Sequence, residues 1–138
     1  MITSVNDTNV WVSGINWPNG AGRKILSYWQ ERRFKHCTSF EILFEIIRIL
    51  REVFGFSDEL LYDWYWLLLT GSTLVEPEFM PNVVQDDPDD DKFFACALAS
   101  SAEYIVSEDN DLRRVGQYKT VRVISKQAFI QLIENEAR

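Results

Sequence analysis

The sequence predicts an α/β fold built around a parallel sheet, and three observations support this prediction. Short apolar runs typical of strands alternate along the chain with segments whose apolar residues recur at helical spacing. The 138-residue chain is 46% hydrophobic and 25% charged, as expected of one folded domain rather than of a disordered chain. Helices that connect strands make the crossovers of parallel sheets, so this alternation favours parallel strands.

In the first half of the chain the pattern predicts two strands and three helices. In order, they are a strand over 2–6, a helix over 21–33, a strand over 34–38, a helix from Ser39 to Phe54 and a helix from Ser57 to about Thr70. Ser39 and Ser57 can each cap the helix that follows by accepting a hydrogen bond from its first turn. The helix after Ser39 has a clear apolar stripe that includes Ile42, Ile46 and Leu50.

The second half is predicted to hold a connector, two helices and two strands. Residues 71–86 contain Gly71, Pro77 and Pro81 and form the connector, with short extended pieces. In order, the elements after it are a helix starting near Asp89, a short buried strand over 104–106, a strand over 121–124 and a closing helix that Ser125 opens. Neither a repeat nor an interdomain linker interrupts this order, so residues 1–138 are expected to form one domain.

Four short acidic segments are distributed along the chain, each at the edge of a predicted element or inside one. They are residues 5–10, 41–45, 86–91 and 107–112. Asp7 directly follows the first strand and Asp109 follows the strand over 104–106 after two residues, so both are expected at the edge where open α/β sheets bind ligands. Carboxylates gathered there repel one another unless a cation compensates them, and oxygen ligands suit Mg²⁺ or Mn²⁺. The sequence therefore predicts a divalent-metal site that can contact phosphates.

Each acidic residue also has an ordinary structural explanation. Asp7 can cap a helix or shape a turn, and Asp109 and Asp111 can shape a turn. Glu45 can lie at the solvated edge of its helix. Pro88 and the aspartates around it can begin a helix, where negative charge complements the helix dipole. These explanations are compatible with metal binding, so they leave the question open.

Composition excludes several other classes of site. The formal net charge of −7 makes a broad basic nucleic-acid face unexpected. His36, the only histidine, has no partner motif, and Cys37 and Cys96 lie at no metal-ligand spacing, so we expect a structural histidine and buried thiols. No signal peptide and no apolar run of membrane-spanning length is visible, so a cytoplasmic protein is expected.

Taken together, the acidic segments resemble the motifs of the PIN-domain ribonucleases, especially the stand-alone prokaryotic toxin-type (VapC-like) branch. The resemblance runs essentially end to end. It rests on Asp7-Thr8-Asn9 after the first strand, Ser39 followed by Glu45 in a helix, Asp87-Pro88-Asp89-Asp90 opening a helix, and Tyr104 to Leu112 followed by a last strand and helix. It implies a three-layer α/β/α sandwich around a central parallel sheet of about five strands, in a single PIN-like domain over residues 1–138.

The resemblance also implies an Mg²⁺- or Mn²⁺-dependent endoribonuclease, usually a homodimer. By position, the catalytic and metal-binding quartet would be Asp7, Glu45, Asp90 and Asp109, with Asp91 and Asp111 as further candidate ligands. Thr8, Asn9 and Ser107 would support the site by hydrogen bonds. The branch implies the toxin of a type II toxin–antitoxin system, with RNA as substrate, an antitoxin protein as partner and no membrane association.

The chain departs from the pattern of this family around the first and last motifs. Asn6 precedes Asp7 where an aliphatic residue is usual, Ser107 replaces the more frequent threonine, and Glu108 stands where a small residue is common. None of these changes removes a predicted ligand. The strand over residues 2–5 is also unusually polar. This polar strand and Glu108 are the main support for an alternative in which the chain is a catalytically silent PIN-like module that binds RNA or protein, and metal-dependent turnover separates the two.

A metal-activated water would hydrolyse the RNA phosphodiester in the enzyme hypothesis. Two basic pairs are candidates to hold flanking phosphates, namely Arg113 with Arg114 and Arg23 with Lys24. Exposed basic residues are common on protein surfaces, so an ordinary solvated role is the alternative for all four.

The predicted helix over 57–70 is apolar nearly all round. Tyr62, Tyr65, Trp66 and Leu69 exceed what one buried face requires. Surplus aromatic residues are typical of interface centres, so this helix is predicted to form a homodimer interface or an antitoxin-binding groove.

A receiver-like phosphoacceptor is a rival from another class. It also gathers aspartates at strand ends and has a lysine after its last strand, a position that Lys126 fits. It leaves Glu45 and the fourth acidic segment unexplained, so the nuclease hypothesis accounts for more of the sequence.

Overall fold

A central sheet lies between layers of helices in the computed structural model, which describes residues 1–136. The strands are β1 (Thr3–Asn6), β2 (Lys35–Thr38), β3 (Thr73–Leu74), β4 (Tyr104–Val106), β5 (Gln117–Tyr118) and β6 (Val121–Ile124). The helices are α1 (Thr8–Asn16), α2 (Ala21–Gln30), α3 (Phe40–Glu52), α4 (Asp58–Thr70), α5 (Asp91–Ser100), α6 (Asn110–Val115) and α7 (Lys126–Asn135), and a 3₁₀ turn at Pro88–Asp90 precedes α5. This is the predicted three-layer α/β/α sandwich, and the last two positions of the predicted 1–138 range lie outside the described residues.

The sheet is mainly parallel, and β1 lies near its centre. Across the described residues the strand order is β3-β2-β1-β4-β6-β5, and β5 is the one strand that runs antiparallel to its neighbour. The prediction of about five parallel strands is therefore confirmed. Asn6 of β1 lies beside Val106 of β4, and the Asp7 N–H donates to the Val106 carbonyl oxygen at 3.0 Å. The segments that follow β1 and β4 consequently leave the sheet side by side.

Side-chain caps fix where the helices begin. Ser39, Ser57 and Ser125 accept hydrogen bonds from the first turns of α3, α4 and α7, as the sequence predicts. Asp7 and Asp109 cap α1 and α6 by the same kind of bond. Capping therefore positions both carboxylates at the carboxyl edge of the sheet, where the sequence places the candidate site.

Helix α1 is absent from the sequence-based prediction, as are α6 and β5, while β3 is one of the short extended pieces predicted in the connector. Val10, Val12 and Gly14 have low helix propensity, so local sequence alone does not indicate α1. Tertiary packing supplies its stability, since α1 packs closely on α2. A methyl group added to Gly14 would lie 2.7 Å from the carbonyl oxygen of Gly22, so the two backbones approach too closely for any larger residue.

Helix α2 ends three residues earlier than the predicted helix over 21–33. Arg32 adopts a left-handed conformation with φ of 59°, and the Arg33 N–H returns to the Tyr28 carbonyl oxygen at 2.9 Å. This hydrogen-bonding pattern closes the last turn of a helix and satisfies its free carbonyl groups.

Much of the apolar surface of α4 is exposed. Leu61 and Leu68 are buried, whereas Tyr62 is 63% exposed and Trp66 is 44% exposed. The predicted surplus of aromatic residues is therefore on the surface for Tyr62 and Trp66, while Tyr65 is half-buried. In the described part of the chain, no helix is both long enough and apolar enough to cross a membrane.

Candidate metal centre

An acidic cavity of about 210 Å³ opens at the carboxyl edge of β1 and β4. Its lining combines carboxylates, hydroxyl and amide groups, one arginine and a small apolar floor. The lining residues are Asp7, Thr8, Asn9, Glu45, Arg48, Ile49, Asp87, Asp89, Asp90, Phe93, Asp109 and Leu112. The predicted quartet thus lines one cavity, although its members come from four separate segments of the sequence.

Asp7 lies at the bottom of the site, between β1 and α1. Its side chain is buried, its Oδ1 accepts a hydrogen bond from the Val10 N–H at 3.0 Å, and its Oδ2 accepts one from the Ser107 hydroxyl. Burial, with a smaller contribution from the negative charge of Asp109, raises the pKa of Asp7 from 3.8 to about 6, although the two hydrogen bonds act to lower it. The Asp7 carboxylate is thus held away from water, which disfavours its charged form.

Ser107 connects the segments after β1 and β4. Besides donating to Asp7, its hydroxyl oxygen accepts from the Asp109 N–H at 2.9 Å. The Asp109 Oδ1 in turn accepts from the Asp111 and Leu112 N–H groups at 2.8 and 3.4 Å, which opens α6. Ser107 therefore makes the kind of supporting contact expected of it, despite replacing the more frequent threonine.

Asp90 closes the site from the 3₁₀ turn before α5. Its Oδ2 is buried and has no hydrogen-bond partner among the described residues. Burial raises the pKa of Asp90 from 3.8 to about 7, helped by the nearby charges of Asp87 and Asp109. An acceptor oxygen that is buried, unpartnered and crowded by other carboxylates is the arrangement that a bound cation relieves.

Three carboxylates of the site approach closely enough to share an ion. One oxygen from each of Asp87, Asp90 and Asp111 lies within 4.8 Å of the other two. The donor set consists of hard oxygen atoms, which suit Mg²⁺ or Mn²⁺ better than a metal that prefers nitrogen or sulfur. The residues present therefore fit the divalent ion, and Asp87 joins the candidates although the sequence did not single it out from its run.

Asp91 points to a different neighbour. It is buried, and its Oδ1 accepts hydrogen bonds from the Val83 and Val84 N–H groups at 3.0 and 2.7 Å. It is absent from the lining of the cavity. The geometry thus favours Asp90 over Asp91 as the acid that faces the site. The hydrogen bonds of Asp91 instead fix the connector to the start of α5.

Glu45 reaches the cavity from α3, and both of its oxygens have partners. The Thr8 hydroxyl donates to Oε1, and the Lys92 Nζ lies 2.7 Å from Oε2. The predicted supporting role of Thr8 thus corresponds to a direct contact with the quartet, while Asn9 lines the cavity as an exposed residue.

Lys92 is the main site residue that sequence reasoning missed. Its side chain is only 2% exposed, and its Nζ also contacts the Asp89 carbonyl and Oδ2 oxygens, each at 2.9 Å. Burial alone would lower the pKa of Lys92, but the hydrogen bonds to Glu45 and Asp89 outweigh it and raise the pKa. The available signal was a lysine one residue after the aspartate run, at the start of an apolar helix.

The predicted phosphate-binding residues are engaged elsewhere. Arg114 pairs with Asp86 at 2.6 Å and Asp111 at 3.1 Å, and Arg113 lies 3.5 Å from Glu108. The Arg23 guanidinium donates to the Gly14 and Ile15 carbonyl oxygens at the C-terminal end of α1, and Lys24 pairs with Glu134 at 2.9 Å. Arg48 is the arginine that lines the cavity, one turn after Glu45 on α3, and its pairing with Glu52 at 3.3 Å is exposed.

Polar groups beneath the site satisfy one another with one exception. The His36 Nε2 accepts from the Trp11 indole and the Asn6 N–H at 3.3 and 3.2 Å, and its Nδ1 lies 2.9 Å from the Ser72 hydroxyl. Burial lowers the pKa of His36 to about 3, so it is neutral, as expected of a structural histidine. Asn6 is fully buried and its Nδ2 has no partner among the described residues.

Comparison with known proteins agrees with this architecture. Residues 3–111, which include all four predicted acids, match the PIN domain family. The fold is similar to the crystal structure of PAE2754 from Pyrobaculum aerophilum, with a TM-score of 0.61 and 12% sequence identity over 99% of this chain and 98% of that chain. No curated protein matches the sequence. At so low an identity the structural similarity concerns the fold alone, and the family match favours a PIN domain over the receiver-like rival.

Proposed function

Because the chain belongs to the PIN-domain family, whose members are typically metal-dependent nucleases, we propose that it is an Mg²⁺- or Mn²⁺-dependent endoribonuclease. It hydrolyses RNA phosphodiesters, and residues 1–138 act as a single PIN-like domain. The observation that carries this proposal is the buried, unpartnered oxygen of Asp90 among the carboxylates of Asp87 and Asp111. A structural acidic cluster would be expected to pair such an oxygen with a donor.

Within the proposed site, Asp90 holds the divalent ion where its carboxylate converges with those of Asp87 and Asp111, and Asp7, Asp109 and Glu45 are the other predicted acids of the cavity. When bound, the ion would supply an activated water and neutralise charge on the phosphate. Ser107 keeps the Asp7 carboxylate oriented, and the caps of α1 and α6 keep Asp7 and Asp109 from rotating away. The fold thus holds the carboxylates in position before the ion and the RNA bind.

RNA would reach the acids past a rim that carries both signs of charge. Arg48 lines the cavity and is the first candidate to hold a flanking phosphate. Arg113 and Arg114 lie on α6 directly after the acidic segment over 107–112, so an RNA phosphate would replace the carboxylates with which they now pair. Arg23 bonds to backbone carbonyl groups, which favours a structural role for it over the phosphate role.

The proposed biological role is the toxin of a type II toxin–antitoxin system in the cytoplasm. The exposed aromatic residues of α4, Tyr62 and Trp66, support a partner surface there, either for a second copy of the chain or for an antitoxin. Size measurement by light scattering tests the homodimer, and a strictly monomeric protein would contradict it.

The nuclease is tested by incubating purified protein with a mixed RNA pool and Mn²⁺. Parallel samples contain EDTA, the Asp7→Asn variant, the Asp90→Asn variant, and Asp63→Asn as a matched control on the exposed surface of α4. We expect cleavage by the wild type and the control, and a loss of about 100-fold or more in the other samples, because electrostatic stabilisation is removed. Cleavage that persists in EDTA or in Asp90→Asn would contradict the proposal. A folded protein that binds Mn²⁺ but does not cut any RNA would instead indicate the silent PIN-like module.

A further inference from the structure

Lys92 is an unusual residue to find beside an acidic cavity, where it contacts Glu45 and Asp89 of the lining without lining the cavity itself. Lysine is almost never fully buried unless it is paired, and this side chain is 2% exposed. An ammonium group has three donor hydrogens, and Nζ has three acceptors within reach. They are the Glu45 Oε2 at 2.7 Å, the Asp89 carbonyl oxygen at 2.9 Å and the Asp89 Oδ2 at 2.9 Å. The ammonium is therefore fixed in position, with its hydrogen-bonding capacity used.

Glu45 is correspondingly engaged on both sides of its carboxylate. Its Oε1 accepts from the Thr8 hydroxyl and its Oε2 faces Lys92. Neither oxygen is left in need of another positive partner. A divalent ion bound at the Glu45 Oε2 would lie against the buried Lys92 ammonium, and displacing that ammonium would leave it without its charge partner.

The other side of the cavity has the opposite character. The Asp90 Oδ2 is buried without a partner, and oxygens of Asp87, Asp90 and Asp111 converge within 4.8 Å. Asp7 and Asp109 lie on this side as well, joined through Ser107. Lys92 thus compensates negative charge on the Glu45 side, whereas on the Asp90 side Arg114 pairs with Asp111 from an exposed position and the Asp90 Oδ2 keeps no partner among the described residues.

We propose that Lys92 is a positioning residue that serves as a built-in cation at the edge of this cavity. It holds Glu45 in place, so that the cavity takes one divalent ion, on the side of Asp90. Glu45 then acts by fixing the Thr8 and Lys92 side of the site and is not a ligand of the ion. This inference rests on the proposed metal-dependent function and specifies how many ions the site takes.

Titration of the protein with Mn²⁺, followed by the electron paramagnetic resonance signal of free Mn²⁺, tests this division. The wild type is expected to bind about one Mn²⁺ per chain, since the Glu45 side already has a buried cation and the Asp90 side does not. The paired variant Glu45→Gln with Lys92→Met removes the ion pair without changing the net charge. Its dissociation constant for Mn²⁺ should stay within about threefold of wild type, whereas Asp90→Asn should weaken binding by about tenfold or more.

The single substitution Lys92→Met provides the complementary test. Lys92→Met removes one positive charge from the cavity and frees Glu45, so it should bind Mn²⁺ about tenfold more tightly than wild type. A lysine with a merely structural role would leave the affinity unchanged or lower it. The paired variant Arg51→Gln with Asp58→Asn removes a surface ion pair of 3.5 Å outside the cavity and is the control for both measurements. If Lys92→Met fails to fold, the charge-neutral paired variant still decides the question.

Three results would overturn the inference. They are two Mn²⁺ ions bound per wild-type chain, a loss of affinity in the paired variant as large as that of Asp90→Asn, and Mn²⁺ binding by a folded Lys92→Met that is no tighter than that of wild type. Each leaves the nuclease intact if the wild type still cleaves RNA with Mn²⁺. A wild-type chain that binds no Mn²⁺ and cuts no RNA overturns the proposed function as well.

Discussion

The Asp90 carboxylate is expected to destabilise the metal-free fold as the pH rises. Its pKa is raised from 3.8 to about 7, first by burial and then by the charges of Asp87 and Asp109. Between these two pH values the folded chain binds a proton that the unfolded chain has released. Stability therefore falls as the pH rises from about 4 to 7 and stays low above that range. The variant Asp90→Asn has no such proton and should not show this fall.

The size of the effect follows from the same pKa. A rise from 3.8 to about 7 corresponds to about 4 kcal/mol, at about 1.4 kcal/mol per pKa unit. Asp90 is only partly buried, so solvent screening should reduce this to about 2 kcal/mol. The metal-free Asp90→Asn protein should thus be about 2 kcal/mol more stable than wild type at pH 8 and nearly equal to it at pH 4. The residue that the proposed chemistry needs would then be one that the metal-free fold tolerates poorly.

Urea unfolding followed by tryptophan fluorescence measures this difference, with EDTA present at both pH values. Asp63→Asn serves as the charge-matched control and should follow wild type. The reasoning is refuted if Asp90→Asn is no more stable than wild type at pH 8, or if the difference between them is the same at pH 4 and pH 8. Adding Mn²⁺ at pH 8 should stabilise wild type more than Asp90→Asn, because the ion relieves the repulsion that the variant lacks.

Three further substitutions test other parts of the structure. Asp91→Ala should lower the free energy of unfolding by about 1–3 kcal/mol, because it leaves two N–H groups of the connector without an acceptor; hydrogen exchange at Val83 and Val84 should accelerate, and unchanged protection there would contradict the assignment. Gly14→Ala should destabilise the fold by about 1–3 kcal/mol because its methyl group would overlap the α2 backbone, and a melting temperature equal to that of wild type would show that the helices can separate without cost. His36→Gln should reduce the loss of stability below pH 6.5, since the pKa of buried His36 is lowered to about 3 and between these pH values only the unfolded chain binds the proton. If the free energy of unfolding, measured with urea, falls with pH below 6.5 as steeply in the variant as in wild type, His36 is not its cause.

The sequence predicted the elements whose local patterns agree with their tertiary surroundings. The apolar stripe of α3, its cap at Ser39 and the buried run of β4 are unambiguous because burial and local propensity favour the same structure. Helix α1 was missed because Val10, Val12 and Gly14 argue against a helix locally, and packing against α2 overrides that preference. The short strands β3 and β5 have two residues each, which is too little sequence for a periodic signal.

The candidate site was predictable where position along a strand determines it. Asp7 and Asp109 follow strand ends directly, so the parallel sheet brings them together. The positions of Lys92 and Asp87 depend on how the 3₁₀ turn before α5 is oriented, which sequence spacing does not specify. For this reason the difference between the Glu45 side, which the buried Lys92 neutralises, and the Asp90 side is visible only in three dimensions.

Adjacent aspartates at the start of α5 make contacts with different parts of the fold. Asp90 faces the cavity, while Asp91 holds the backbone of Val83 and Val84. Deleting any one of Asp89, Asp90 or Asp91 produces the same amino-acid sequence. Such a deletion would turn the start of α5 by about 100° relative to the segment before it, so the aspartates could not keep both neighbours. A natural variant of this chain must therefore preserve the length of this repeat and not only its acidic character. A repeat shortened by one codon would lose either the aspartate that faces the cavity or the one that binds the Val83 and Val84 N–H groups.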